Sequence, residues 1–426
     1  MGAALFEDLI PLYPLYAVLF ADPGVPGAGL GSAEISALFV IWSASSVIVE
    51  VPTGVLADRL SRRKLLIVGP LVTASGFALW TVAPSFLSFA TGFVLWALGG
   101  SLRSGTTQAL VFDELALLGR SRDYARLSGR MRAAAALGVV GGTALAAPLF
   151  SWGGYDAVGV ASVVACLVCS LMSAMLSETR AGRDGTAVDD AGRSVPVEDG
   201  TEPDPADAAR TDPDTDSGPG WLAIVRSGRR SLRTQPVARR MLLLGVVLTW
   251  VAALDEYLPL LIGSFVADAA GVTGDGSPTS DPVAVALLMI VVSIGDIAGA
   301  LAAGRFRSVA AIGPAVGLGA VVLIGAALWG HPAAALGVAA AFGVLGWARV
   351  VADAELQDRL SSTSRATVTS LAGMGEELVA ILAYAGWAAG SAWLGPAGLF
   401  AVAALPYVVV SALLIGGAMT VRASRR

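Results

Sequence analysis

The sequence predicts an all-α polytopic membrane protein of twelve transmembrane helices, arranged as two pseudo-symmetric six-helix bundles. Three observations carry this. The 426 residues are 55% hydrophobic and only 14% charged, with a mean hydropathy of +0.72, where a soluble domain sits near roughly 45–50% apolar and about 25% charged. Apolar stretches close to the ~20 residues that span a bilayer recur along the whole chain. Landmarks of the first half return in the second at offsets between 245 and 248 residues.

With breakers and charges as punctuation, the spans fall at about 3–21, 34–57, 65–83, 85–112, 133–151 and 156–177, then at 239–265, 283–303, 309–329, 333–354, 366–390 and 397–419. Orientation follows from the basic residues. Arg59, Arg62, Arg63 and Lys64 (the only lysine) lie between spans two and three, and Arg120 to Arg132 between four and five. Arg226 to Arg240 precede span seven; Arg305 and Arg307, then Arg359 and Arg365, follow spans eight and ten. All are even-numbered crossings, so both termini are expected in the cytoplasm and the protein in the plasma membrane. Residues 1–180 form the first bundle and 238–426 the second. Between them, 181–237 is read as a cytoplasmic linker, disordered through its acidic Asp, Pro and Gly stretch, then basic and amphipathic against the membrane.

The most informative repeat is a pair of acids ahead of a proline. Glu7 and Asp8 precede Pro11, and Asp255 and Glu256 precede Pro259. Ionisable groups are costly at membrane depth, so each doublet is a functional candidate. Gly54 and the small residues after it return at Gly299, and Arg103 in span four returns as Arg349 in span ten. Only six residues precede Glu7, against a longer apolar lead before Asp255, so the natural start is expected upstream.

The run Gly54-Val55-Leu56-Ala57-Asp58-Arg59-Leu60-Ser61-Arg62-Arg63 resembles the G-x-x-x-D-R-x-G-R-R signature of the major facilitator superfamily, with Ser61 in place of the usual glycine. Glu50-Val51-Pro52-Thr53 ahead of it is similar to a bacterial branch of that family. The resemblance implies that this cluster latches an inner gate in the outward-facing state: Gly54 lets spans two and eleven approach, Asp58 caps a helix N-terminus, and Arg59, Arg62 and Arg63 pair with Asp113 or Glu114 at the inner end of span four. The bland reading, arginines that only set topology, leaves Asp58 unexplained.

The resemblance also implies that spans one, four, seven and ten line a central cavity. Glu7, Asp8, Arg103, Asp255, Glu256 and Arg349 fall on those spans and form the candidate substrate- and proton-binding set, with Tyr13 and Tyr257 as aromatic candidates beside Tyr16 and Trp250. Two adjacent carboxylates cannot both ionise cheaply there, which suits one of them to proton exchange; the competing reading keeps one carboxylate for a structural bond. Glu50, Asp296, Glu376 and Glu377 are second-rank candidates. Asp353, Glu355 and Asp358 are expected to pair with Arg359 or Arg365.

The expected function is secondary active transport by alternating access, in the form of proton-coupled efflux of amphipathic or cationic compounds by a monomer, without a cofactor. Uptake of a sugar-like or amino-acid-like solute is the alternative, since span five offers Gly138-Val139-Val140-Gly141-Gly142 without the Gly-Pro pair of the antiporter motif. A membrane enzyme or sensor is a distant third. One histidine, His331, and two cysteines, Cys166 and Cys169, supply neither a nucleophile with its base nor a metal site, and no phosphate-binding loop is present. Nucleic-acid binding is disfavoured for want of a basic soluble domain.

Overall fold

The computed structural model describes residues 1–59, 61–176, 186–188, 194–196, 236–271, 281–359 and 362–423; side chains of 51–59, 121, 125, 186–188, 194–196, 236–238, 362–367, 370–371 and 417–423 lie outside the description. The described chain is helical apart from an antiparallel ribbon, Thr186–Val188 with Ser194–Pro196, inside the linker. The rest of the linker, including its basic stretch up to residue 235, is outside the described residues.

Eight described stretches are long and apolar enough to cross a membrane, and one bent pair makes a ninth. Arg126–Ala174 contains spans five and six, divided at Gly153 and Gly154, whose backbone leaves the helical region. The remaining spans are the short, broken first and the partly described eleventh, Ser362–Gly390. Ser61 caps span three: its hydroxyl accepts from the Lys64 N–H at 3.3 Å, a role serine fills and glycine cannot.

Spans one and seven are not the continuous helices expected from hydropathy. Span one is helical over Gly2–Asp8 and Tyr16–Ala21, with turns between. Span seven runs as Pro236–Leu248, Trp250–Asp255 and Leu258–Ala269, with a 47° bend before the last piece. Proline is the cause of the break that follows each acidic doublet. It has no N–H to donate, and its ring collides with the carbonyl four residues back, which is that of Glu7 for Pro11 and of Asp255 for Pro259.

Irregular backbone at membrane depth survives only where protein satisfies it. In the first half, the Leu12 N–H donates to Ser162 Oγ at 3.1 Å. In the second, Tyr407 Oη donates to the Leu248 carbonyl at 3.2 Å, while the Trp250 indole ties span seven to span twelve by donating to the Ala403 carbonyl at 2.9 Å. Glycines let span five follow the broken backbone closely. A Cβ at Gly138 would sit 2.3 Å from the Leu5 carbonyl oxygen, and one at Gly142 would sit 2.8 Å from the Ile10 nitrogen.

The two halves pack alike. Span four packs on both two and three, as span ten does on both eight and nine. Ser170 donates from span six to the Ile67 carbonyl of span three at 2.9 Å, and Ser411 from span twelve to the Gly313 carbonyl of span nine at 2.7 Å. The halves meet where span two packs on eleven and where eight packs on the Arg126–Ala174 stretch. Adding a methyl at Gly138 should lower stability by about 1–3 kcal/mol, the usual cost of overpacking, whereas Gly325→Ala, with nothing within 4 Å of the added atom, should leave thermal unfolding in detergent nearly unchanged.

Candidate functional site

A cavity of about 530 Å³ lies between the halves. Its walls differ in chemistry. The first half supplies Tyr13, Tyr16, Trp42 and Trp96; the second supplies Asp255, Glu256, Asp296 and Arg349. Trp96 holds the aromatic wall together, stacked on Trp42 at 4.8 Å between centroids and on Tyr13 at 5.4 Å.

The acids follow from the break in span seven. Asp255 ends the Trp250–Asp255 helix, and Glu256 is its C-cap residue. Both lie at a half-helix C-terminus, where unsatisfied carbonyls favour positive charge. Asp296, from span eight, faces them across Gly346 of span ten, where an added Cβ would sit 2.8 Å from Asp296 Oδ1. Arg349, one turn further on, attracts both Asp255 and Asp296 electrostatically. Yet no ion pair within 4 Å is formed by Arg349, Asp255 or Asp296 among the described residues, and all three are exposed to the cavity.

The first doublet is placed differently. Glu7 forms an ion pair with Arg103, and both line a separate space of about 90 Å³ with Asp8, inside the first bundle. The expectation that all six charges share the central cavity is therefore corrected. Arg103 ends its helix just before Gly105, whose φ is +70°, whereas Arg349 sits inside the unbroken helix Ala335–Arg359. The sequence repeat is thus kept in position and altered in geometry.

Tyr13 lines the cavity as expected. Tyr257 does not: it is fully buried, stacked on Trp387 at 3.9 Å, and donates to Ser36 Oγ of span two at 2.8 Å. With Phe39, Leu261 and Phe265, also fully buried, it closes the cavity on the side away from the arginine-bearing loops. Exposed Arg349 and Val350, nearer those loops, lie at the open side.

Asp296, Trp42 and Trp96 were the under-read residues. Trp96 stands seven residues before Arg103, hence on the same helix face, and Asp296 stands in a span with no other acid. The second-rank Glu377 instead holds spans two and eleven together, accepting a hydrogen bond from Ser43, and so does not belong to the cavity.

Of the proposed gate residues, the structure brings Arg62 onto Asp113, with Glu114 half-buried beside it. Arg63 donates to the Ala174 carbonyl at the end of span six. Gly54, Asp58 and Arg59 lie among the residues whose side chains are not described. The second half repeats the ion pair: Arg307 meets Asp358 at 2.6 Å, and each pair is 51 residues apart. Asp358 thus pairs with Arg307 rather than with Arg359, which goes to Glu355 as expected.

A fold of two like six-helix halves around one cavity defines a secondary transporter, a membrane-embedded protein that moves a small molecule without enzymatic chemistry. The chain belongs to the Major Facilitator Superfamily, whose family model matches residues 9–384. Among solved structures it is similar to the nucleoside transporter NupG, at 12% identity and a TM-score of 0.64 over 97% of this chain and 96% of that one. It is also similar to a bacterial homolog to the human lysosomal transporter Spinster, in an inward-facing and unoccupied conformation, at 14% identity and a TM-score of 0.63 over 97% and 92%. Such identities speak for the fold alone. No curated protein matches the chain.

Replacing Ser43 with alanine should cost about 1–3 kcal/mol by stranding the Glu377 carboxylate at the junction of the halves, read as a lowered unfolding midpoint that Ser43→Thr restores.

Proposed function

We propose that this protein is a proton-coupled exporter of amphipathic or cationic compounds, working as a monomer in the plasma membrane with both termini in the cytoplasm. The observation that carries this reading is the two-faced cavity, with flat aromatic rings on one half and three carboxylates on the other. Aromatic faces attract cations and stack on planar rings. The carboxylates, two of them at the end of a half-helix, supply the counter-charge. With Arg349 the wall carries one positive group against three acids, so it favours a net positive guest.

The open side of the cavity faces the arginine-bearing loops, which the positive-inside rule places in the cytoplasm. The conformation is then inward-facing and poised to collect cargo from inside. Rocking the halves about the span two–eleven and five–eight contacts would expose the same site to the opposite face. The Arg62–Asp113 and Arg307–Asp358 pairs would keep each half rigid while it rocks.

A second reading, uptake of an amino-acid-like solute, draws on Arg349, which lies in the cavity without a close acid partner among the described residues. A guest carboxylate would satisfy it, while the acids bound the guest amine.

Ethidium, a flat aromatic monocation, separates the two. Proteoliposomes with an acidic lumen should accumulate it, and Asp255→Asn or Asp296→Asn should each reduce accumulation roughly ten- to a hundredfold, the worth of one charge-assisted contact of about 1.5–3 kcal/mol. Asp281→Asn, at a helix cap far from the cavity, should change nothing. Accumulation that ignores the gradient, or survives both cavity substitutions, would overturn the reading.

A further inference from the structure

The small chamber of the first bundle is sized and wired for something other than cargo. At about 90 Å³ it has room for a few water molecules, each occupying about 30 Å³ in the liquid, and lies below the 300–1,000 Å³ or so that drug-sized ligands fill. Two residues, Tyr13 and Trp96, line both this chamber and the central cavity. Their rings lie nearly parallel, 10° apart, at 5.4 Å, so one aromatic layer is the wall between the two spaces.

What lies behind that wall is polar. The Arg103 side chain is 11% exposed, and its Nε is buried without a hydrogen-bond partner among the described residues. A buried donor of that kind normally meets water. Glu7 and Arg103 neutralise each other as an ion pair, which leaves Asp8 as the uncompensated acid. The groups that face Asp8 are Glu7 and Tyr13 from its own span, Arg103 from span four and Cys169 from span six; Pro70 and Thr73 are what span three contributes to the chamber. One uncompensated charge in so small a space matches one proton. Among the described residues no three His, Cys, Asp or Glu side chains gather as a metal site.

We propose that the stacked Tyr13–Trp96 pair is a partition that keeps cargo out of the Glu7–Asp8–Arg103 chamber and leaves that chamber to water and protons. The transport reading above supplies the word cargo; the partition itself stands on the two cavities. Because Trp96 also touches Trp42 and the cargo space, movement of the stack would tell one chamber of occupancy in the other. Tyr13 and Trp96 are then positioning residues for coupling as well as a surface for cargo.

The chain carries its own reporter. Its two cysteines, Cys166 and Cys169, both line the small chamber, and both are buried. In purified protein a cationic methanethiosulfonate reagent, similar in charge to cargo, should modify them slowly. Trp96→Ala should raise that rate about tenfold or more, while Trp96→Phe, which keeps a ring in the stack, should stay near wild type, with size-exclusion profiles showing that each variant is folded. If Trp96→Ala does not fold, Tyr13→Ala opens the same wall from the other ring. A rate within about twofold of wild type in the opened variant, or rapid modification of the wild type itself, overturns the partition. Asp8→Asn completes the test: it should retain ethidium affinity and lose gradient-driven accumulation, whereas Asp255→Asn loses affinity. Equal loss of affinity in both would also overturn the proposal. The labelling result is independent of transport, so a wild type that fails to accumulate ethidium would condemn the exporter reading and leave the partition to be judged on thiol access alone.

Discussion

Two prolines at membrane depth set the terms for the rest of this molecule. Pro11 and Pro259 each deny a hydrogen bond to a carbonyl that belongs to the acid four residues earlier. A helix so interrupted cannot face lipid, because every backbone group there must find a partner inside the protein. Ser162 answers that demand beside Pro11, and Tyr407 does so at the earlier interruption of span seven, after Leu248; glycines of span five bring neighbouring backbone close enough to cover the first break. The breaks in turn leave the carboxylates at half-helix ends, where the local field already favours positive charge. The proposed site and the interrupted backbone thus coincide, and the surrounding packing covers both.

The internal repeat has been put to two uses. In the second half, the doublet opens onto the large cavity with Asp296 and Arg349, and no close ion pair forms among them. In the first half, the doublet is drawn back behind an aromatic wall, with Glu7 bound to Arg103. The difference is traceable to span four, which breaks at Gly105 immediately after Arg103, while span ten runs unbroken past Arg349. A helix end frees Arg103 to reach Glu7; a helix interior holds Arg349 at its own radius, facing the cavity. Duplication supplied the parts, and local backbone geometry separated their roles.

Much of the architecture was legible in the sequence, because hydropathy and basic-loop spacing are properties of long segments. The spans, their order and the like topology of the halves follow from composition alone. The interruptions in spans one and seven were not read, although Pro11 and Pro259 announced them, because apolar length masks a break that tertiary partners repair. Charge and repeat put Asp255, Glu256 and Arg349 among the cavity candidates, and Tyr13 joined them only as an aromatic. Tyr257 was misplaced, since nothing in the sequence distinguishes a ring that lines a cavity from one that packs against Trp387 a few ångströms away. Asp296 and Trp96 needed the fold: their partners are far along the chain, and single-residue unusualness ranks them low. The Arg307–Asp358 pair was hidden for the same reason, its equivalence to Arg62–Asp113 resting on a 51-residue separation rather than on a contiguous motif.

The central proposal is that the break, and not merely the presence of acids, makes a site for cations. Affinity of the purified Pro259→Ala variant for ethidium, measured by fluorescence titration beside its structure, addresses it directly. With every charge retained but the Asp255 carbonyl bonded again, affinity should fall about tenfold, equivalent to roughly 1.4 kcal/mol, as span seven straightens. Unchanged affinity in a variant whose span seven is shown to be straight would contradict the account.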